Sequence, residues 1–562
     1  MNQPATAGTV ALRPPSVVMR LARLGSFHQT RLSFLRVLLR RAIAEKWRFD
    51  RLRFDIDAKG VGTAVYAVDL GNGRTVSLVA FGHDLPPELR TDRVIAEAWD
   101  ATFALFDGVP TDGEIKRLRA NVPKQEAGRC LGSELVLARA NRSVRLFDSV
   151  VSSLAAGRQP DRNALEATGY LMRTTAVYGN GKFGIADRDR YAARPEFEPP
   201  FQAEMLAVYL IRTFTADLVE HMARLRAPAT AVPLEPALRR RLGIGNSTGL
   251  GMAPFLVRHP TLLDRWMAAR ETALARVRAI PTADATAVAR FRDALAGAKR
   301  MVRGWTTDDA IQAPRIATLG GELDQLAAFA TDDLLATSHP WDRIHRWAEG
   351  ALSIEGQEMT VSLLLEPHGA IVDDLAAEMS IDEGADFRID GTRSCADTRT
   401  AIERQYPWAL AYDFADAREN ARFWYVSEEK LEPRIGDRAS EDGADLEQPL
   451  AVARDIAQLH AALRDAPAGD RIGAFLLRHP EHRHAVRRVQ RNADHAYAEI
   501  QDNLIAESLR PVDILRSKLA CFGATRFDPR SDKWLRITLY QGAPYPHELF
   551  ARDWDGWIWP AA

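Results

Sequence analysis

The segment Tyr178–Gly184, YGNGKFG, holds three glycines, an asparagine and a lysine in seven residues. Glycine tolerates positive φ and lets a backbone approach a ligand closely, and Lys182 adds a mobile ammonium group. The combination suits a lip over a bound anion. Lys182 or Tyr178 would then transfer a proton if burial tunes its pKa. Asn180 would hydrogen-bond the same ligand, and Arg173, just upstream, would hold a carboxylate or phosphate. A tight helix-to-strand turn would use the same glycines.

A second stretch, GIGNSTGLGMAPF from Gly243, places Asn246, Ser247 and Thr248 among glycines. Read as a loop before a helix, it presents backbone N–H groups and hydroxyls to a phosphate or carboxylate. It lacks the Gly-Lys-Ser/Thr of a P-loop. The preceding ALRRRL reads as helix, which argues against a dinucleotide fingerprint. The alternative is a linker into the next helix. His479, His482 and His484 do not share one helical face, and no HExxH pattern occurs, so no metal site is expected. Cys521 and His221 read as buried core residues. The closing DWDGWIWP reads as an aromatic anchor for the C-terminus.

These residues need elements to hold them. VYAVDLGNGRTVSLVAF, from Val65, reads as a hairpin about Asn72-Gly73. LAYDFADARENARFWYVS, from Leu410, has the same outline. Further matches follow in unchanged order. IAEAWDATFALFDG from Ile95, read as a helix, matches VARDIAQLHAALRD from Val452. LGSELVLARANRSV from Leu131 matches IGAFLLRHPEHRHAV from Ile472. LMRTTAVYGNGKF from Leu171 matches ILRSKLACFGATRF from Ile514, which pairs Arg173 with Arg516 and Lys182 with Arg526. The pattern implies an internal duplication of a hairpin-plus-helices unit. Between the copies, helices are expected over Gln202–Leu225, Thr261–Val277, Pro281–Arg300, Gly320–Ala336 and His339–Ala351, with a strand over Met359–Leu365. The fold expected is α+β, predominantly helical. Its spans are a basic arm and helix over 1–48, a first repeat over 49–200, a helical insert over 201–350 and a second repeat over 351–562.

Bulk composition narrows the function. The 74 basic and 75 acidic side chains leave a net charge of -1, so no stable nucleic-acid partner is expected. Three scattered cysteines form no disulfide framework, which fits a reducing, cytoplasmic setting. No transmembrane segment is expected. Residues 1–44 contain no Asp or Glu. They read either as a packed helix with Leu32, Leu35, Leu39, Ile43 and Trp47 inward, or as an arm for nucleic acid or a membrane surface.

The function expected is a non-redox enzyme (lyase, isomerase or hydrolase) acting on a small anionic metabolite at the junction of two repeats. Arg173, Arg516 and Arg526 would hold the anion there. A ligand sensor or scaffold without turnover is the alternative. No cofactor can be named, and a homo-oligomer is compatible with the sequence.

Overall fold

The computed structural model describes residues 11–562 except 90–97, 125–128, 177–179, 182–183, 187–190, 192–193, 250–259, 308, 380–386, 415–422, 428–432, 437–446, 450–451, 502–515, 517–518, 526–527, 530–533, 552–553 and 560–562. The chain forms two compact units, each assembled from three separated segments. One comprises Met1–Phe27, Gly249–Ala279 and Glu378–Ser517; the other comprises His28–Thr248, Ile280–Ala377 and Lys518–Ala562. The protein is a mixed helix-and-sheet molecule. No helix among the described residues is long and apolar enough to cross a membrane.

The first unit is mainly helical. Its core gathers Ile402, Tyr406, Ile456, Leu459, Leu463, Ile472, Phe475, Val486 and Val489. A small sheet accompanies it, in which Phe423–Ser427 pairs antiparallel with Pro433–Gly436 and with Glu447–Pro449. Arg13 meets the buried Glu271 at 2.8 Å through both Nε and Nη2.

The second unit is built on an eleven-stranded sheet. Strands β1 (Arg48–Ile56), β2 (Gly62–Gly71), β3 (Arg74–Gly82), β4 (Ala101–Asp107), β5 (Glu134–Arg142) and β6 (Tyr170–Thr174) form an antiparallel meander. The expected β2–β3 hairpin is present. Asn72 (φ 54°) and Gly73 (φ 73°) both take the left-handed conformation that matches strand twist. The short β7 (Asn180–Gly181) and β8 (Gly184–Ala186) pair with one another, and β8 continues onto β5. From β6 the chain crosses through the helix Gln202–Arg226 to β9 (Gly243–Gly249), which lies parallel to β6. The sheet ends with two strands from the C-terminal region, Trp534–Leu539 and Asp528–Pro529.

The helix Gln202–Arg226 appears where its apolar spacing predicts, and Arg224 and Arg226 in its last turn complement the helix dipole. It covers one sheet face. Phe214 packs 5.6 Å from Phe103 and 6.2 Å from Phe54 by ring centroids.

Three expectations about local structure fail, two of them for the same reason. Ile95–Gly108 contains strand β4 rather than a helix, and Met359–Leu365 belongs to a helix, Ile354–Leu365, rather than a strand. Both runs are buried all round, so neither carries a usable period. GIGNSTG is strand β9 rather than a loop. Its glycines answer to neighbours. A Cβ on Gly243 would collide with the Leu539 carbonyl oxygen, and one on Gly245 would lie 2.6 Å from Arg173 Cγ. Gly243→Ala should therefore cost about 1–3 kcal/mol, read as a lowered urea midpoint at unchanged slope, because the obstacle is backbone.

The internal duplication is not confirmed. Strand β5 is matched with the helix Ile472–Arg478, and β4 with the helix Val452–Asp465. Of the residues matched with strand β6, only Arg516 is described. The segments of these two matches share apolar content and little else. A site at a junction of two repeats therefore loses its basis.

The acid-free N-terminal segment packs as the first reading predicts. In the helix Phe34–Ala44, Leu35, Leu38 and Leu39 are fully buried, as are Leu32 and Trp47 outside it. Its arginines are used internally. Arg36 makes a bidentate pair with Glu366 at 2.7 Å, and Arg31 meets Asp373 at 2.5 Å and Asp555 at 2.6 Å. Among the arginines from Arg13 to Arg41, only Arg20 is exposed. The described residues of this segment thus offer no exposed basic face.

Candidate anion site on the second sheet face

Opposite the Gln202–Arg226 helix, the sheet face of β2–β5 changes character along its length. Where the helix Asp112–Asn121 covers it, Val65, Val79, Ala104, Phe106 and Leu137 pack on Leu118 and Val122. That helix starts on a capping box in which Thr111 and Glu114 satisfy each other's backbone N–H groups. Further along the same strands the side chains turn polar. Antiparallel register aligns Thr63, Phe81, Thr102 and Arg139 in one row. Two residues on, and so on the same face, Asn141 pairs with Arg173. His83 enters this row through its N–H bond to the Asp100 carbonyl, and the Asp100 N–H donates to Asn141 Oδ1 at 3.0 Å.

Arg139 and Arg173 are 9% and 7% exposed, which is unusual for arginine. The Thr175 N–H donates to the Arg139 carbonyl at 3.1 Å, so Arg139 and Arg173 are diagonal cross-strand neighbours. That relation sets their backbones about 7–8 Å apart, within reach of one small ligand. The Arg139 guanidinium lies 4.2 Å from the Trp99 ring centre, a cation–π arrangement. Burial pushes its pKa down to about 10, so it remains charged at neutral pH.

His83 places a ring nitrogen 2.8 Å from Thr102 Oγ1. Burial, and then the charge of Arg119, lowers its pKa against the opposing pull of Asp100. The imidazole is therefore neutral near pH 7 and able to exchange a proton. Arg119 itself donates to Thr63 Oγ1 and lies 5.7 Å from the Phe81 ring centre.

Arg173 alone among the expected residues sits on this face with its side chain described. Asn246 is fully buried on the neighbouring β9, where its amide donates to the Thr174 carbonyl at 2.7 Å and ties the two parallel strands together. Asn180 belongs to β7, and Ser247 and Thr248 to β9, with their side chains outside the described residues. Lys182, Tyr178 and Arg526 lie wholly outside them. Arg516 is fully buried and belongs to the first unit, whereas Arg173 belongs to the second.

The sequence reading passed over Arg139, Asn141, His83 and Thr102. One signal could have found two of them. In the otherwise apolar run LVLARAN from Leu135, Arg139 and then Asn141 occupy alternate positions, which in a strand share a face. The aromatic anchor is present, with Trp557, Ile558 and Trp559 buried. Cys521 is buried as expected. Comparison with protein-family models, with curated proteins and with solved structures finds no match for this chain.

Proposed function

We propose that the protein binds a small anionic metabolite on the polar half of this sheet face and converts it without redox chemistry. The carrying observation is the pair of buried arginines, Arg139 and Arg173, on adjacent strands of one face. Two guanidinium groups hold a carboxylate or phosphate through charge-assisted hydrogen bonds, which are stronger where water is excluded. Asn141 supplies an amide for orientation, and neutral His83 supplies the proton-transfer group. The segment containing Tyr178 and Lys182 follows directly from β6 in the chain, so both stay in the proposal as proton-transfer candidates. An anion clamp with a neutral base can serve a lyase, an isomerase or a hydrolase reaction.

The test is a thermal-shift screen against mono- and dicarboxylates and phosphate esters. A ligand at about 100 times its dissociation constant should add roughly 2.7 kcal/mol of stability. Arg173→Met and Arg139→Met should each abolish that shift. Ligand binding with no turnover of any stabilising compound would favour a sensor over an enzyme. If no anion stabilises the wild type, or if both variants respond like it, the proposal fails.

A further inference from the structure

A cavity of about 380 Å³ lies on the other side of the sheet, at the far end of the helix Gln202–Arg226. Asp217, Glu220, His221 and Arg224 line it from one face of that helix, and Arg51 and Phe54 line it from β1. The sequence suggested a core histidine at position 221. The structure makes it a cavity wall.

The lining groups differ in the hydrogen-bonding capacity they have left over. Asp217 is largely used: Oδ1 accepts from Arg239 at 2.7 Å, and Oδ2 accepts from Arg51 at 3.1 Å and from the Tyr66 hydroxyl at 2.9 Å. Glu220 Oε1 accepts from Arg239 at 3.2 Å and from the Leu234 N–H at 3.3 Å. Its second oxygen takes no hydrogen bond from the described residues. His221 Nε2 lies 2.7 Å from the Ile56 carbonyl, which can only accept. Nε2 therefore carries the proton, and Nδ1 of the neutral ring keeps a lone pair. Arg224 is exposed and has no ion-pair partner within 4.0 Å among the described residues. The Arg51 guanidinium lies 5.1 Å from the Phe54 ring centre, at the same wall.

The cavity thus offers two acceptors, Glu220 Oε2 and His221 Nδ1, beside two cations, Arg51 and Arg224. A simple anion would face the open oxygen of Glu220, and a simple cation would face Arg224. We propose that this cavity is a second ligand site and takes a zwitterion of the α-amino-acid type. The ammonium group would donate to Glu220 and His221, and the carboxylate would accept from Arg224 and Arg51. Burial, reinforced by Asp217 and opposed by Arg239, already raises the Glu220 pKa, so an added cation would relieve a disfavoured charge. The volume admits a small amino acid with a modest side chain, and Phe54 provides an apolar surface for it.

Calorimetric titration of the full-length protein tests this with L-alanine and L-phenylalanine as probes. Acetate and methylamine serve as single-charge controls, and trimethylglycine serves as a zwitterion without N–H donors. At least one amino acid should bind about tenfold more tightly than any control. Glu220→Gln and Arg224→Gln should each weaken that binding by about tenfold or more and leave the ligand-free melting temperature unchanged, since Arg224 is exposed and the Glu220 amide keeps its acceptor. Arg173→Met should leave it intact, which separates this site from the anion site. The inference is overturned if neither amino acid binds at millimolar concentration. It is equally overturned if acetate or trimethylglycine binds as tightly as the amino acids, or if both cavity variants bind like the wild type.

Discussion

Replacing Arg36 with methionine is expected to destabilise the protein by roughly 3–5 kcal/mol, the range found when one partner of a buried ion pair is removed. Arg36 is fully buried, and its guanidinium bridges both oxygens of Glu366 and also reaches Asp555 at 3.2 Å. Methionine fills much of the volume and leaves the buried Glu366 and the partly buried Asp555 facing one another, with Arg31 and Arg40 as the cations nearby among the described residues. Burial works against the charge on Arg36, but Glu366 and Asp555 outweigh it and raise its pKa. Burial likewise works against Asp555, and Arg36, Arg31 and Arg40 outweigh it, so the Asp555 pKa is lowered. A carboxyl whose folded pKa is depressed stabilises the fold above its unfolded value, near 3.9, and loses that contribution as pH falls through the folded value. Wild-type stability should thus fall below about pH 4, and Arg36→Met should flatten that part of the profile. Urea unfolding from pH 7 down to pH 3 measures both effects. A loss under about 1 kcal/mol with an unchanged acid limb would show that the cluster contributes little.

Removing residues 1–48 is expected to abolish folding. In the second unit the deletion takes out Phe34, Leu35, Leu38, Leu39 and Trp47, all at or near full burial, together with Arg36. Truncating one such apolar side chain costs about 2–5 kcal/mol, so three of them approach the 5–15 kcal/mol that holds a typical domain. In the first unit the deletion removes Arg13 from the buried Glu271 and Phe27 from its packing against Trp266, 6.0 Å away by ring centroids. Circular dichroism and limited proteolysis of the truncated chain should show no cooperative melt and rapid cleavage throughout. A nucleic-acid or membrane arm would come away without either effect. A truncated protein melting within a few degrees of the full chain would contradict the packing described here.

What the sequence disclosed and what it hid follow from how many neighbours each residue answers to. The Asn72-Gly73 hairpin was legible because a two-residue turn between matched strands needs φ > 0 at both positions, a local demand. The helices Gln202–Arg226, Pro260–Arg278 and Pro340–Ala351 were legible because each has a periodic stripe, and the last two begin at prolines. Strand β4 and the helix Ile354–Leu365 were hidden because burial on every side erases the period. Strand β9 was mistaken for a loop because its glycines are explained by Leu539 and Arg173, residues far away in sequence.

The same rule divides the site. Arg173 drew attention through the nearby glycine-rich segment, but Arg139 and Asn141 carry meaning only once ELVLARANR is known to be a strand. His83 meets Thr102 only after β3 and β4 pair. His221 looked like core because its helix is apolar, and only the fold reveals that β1 ends at Ile56 and turns a carbonyl toward it. The pairing of Arg173 with Arg516 rested on the internal duplication, which is not confirmed.

The most direct measurement of the central claim is a crystal structure of the protein with the anion that stabilises it most. The account predicts density for that anion within hydrogen-bonding distance of the guanidinium groups of both Arg139 and Arg173, with His83 facing the ligand. An anion bound elsewhere, with both arginines unchanged and water or protein beside them, would contradict it.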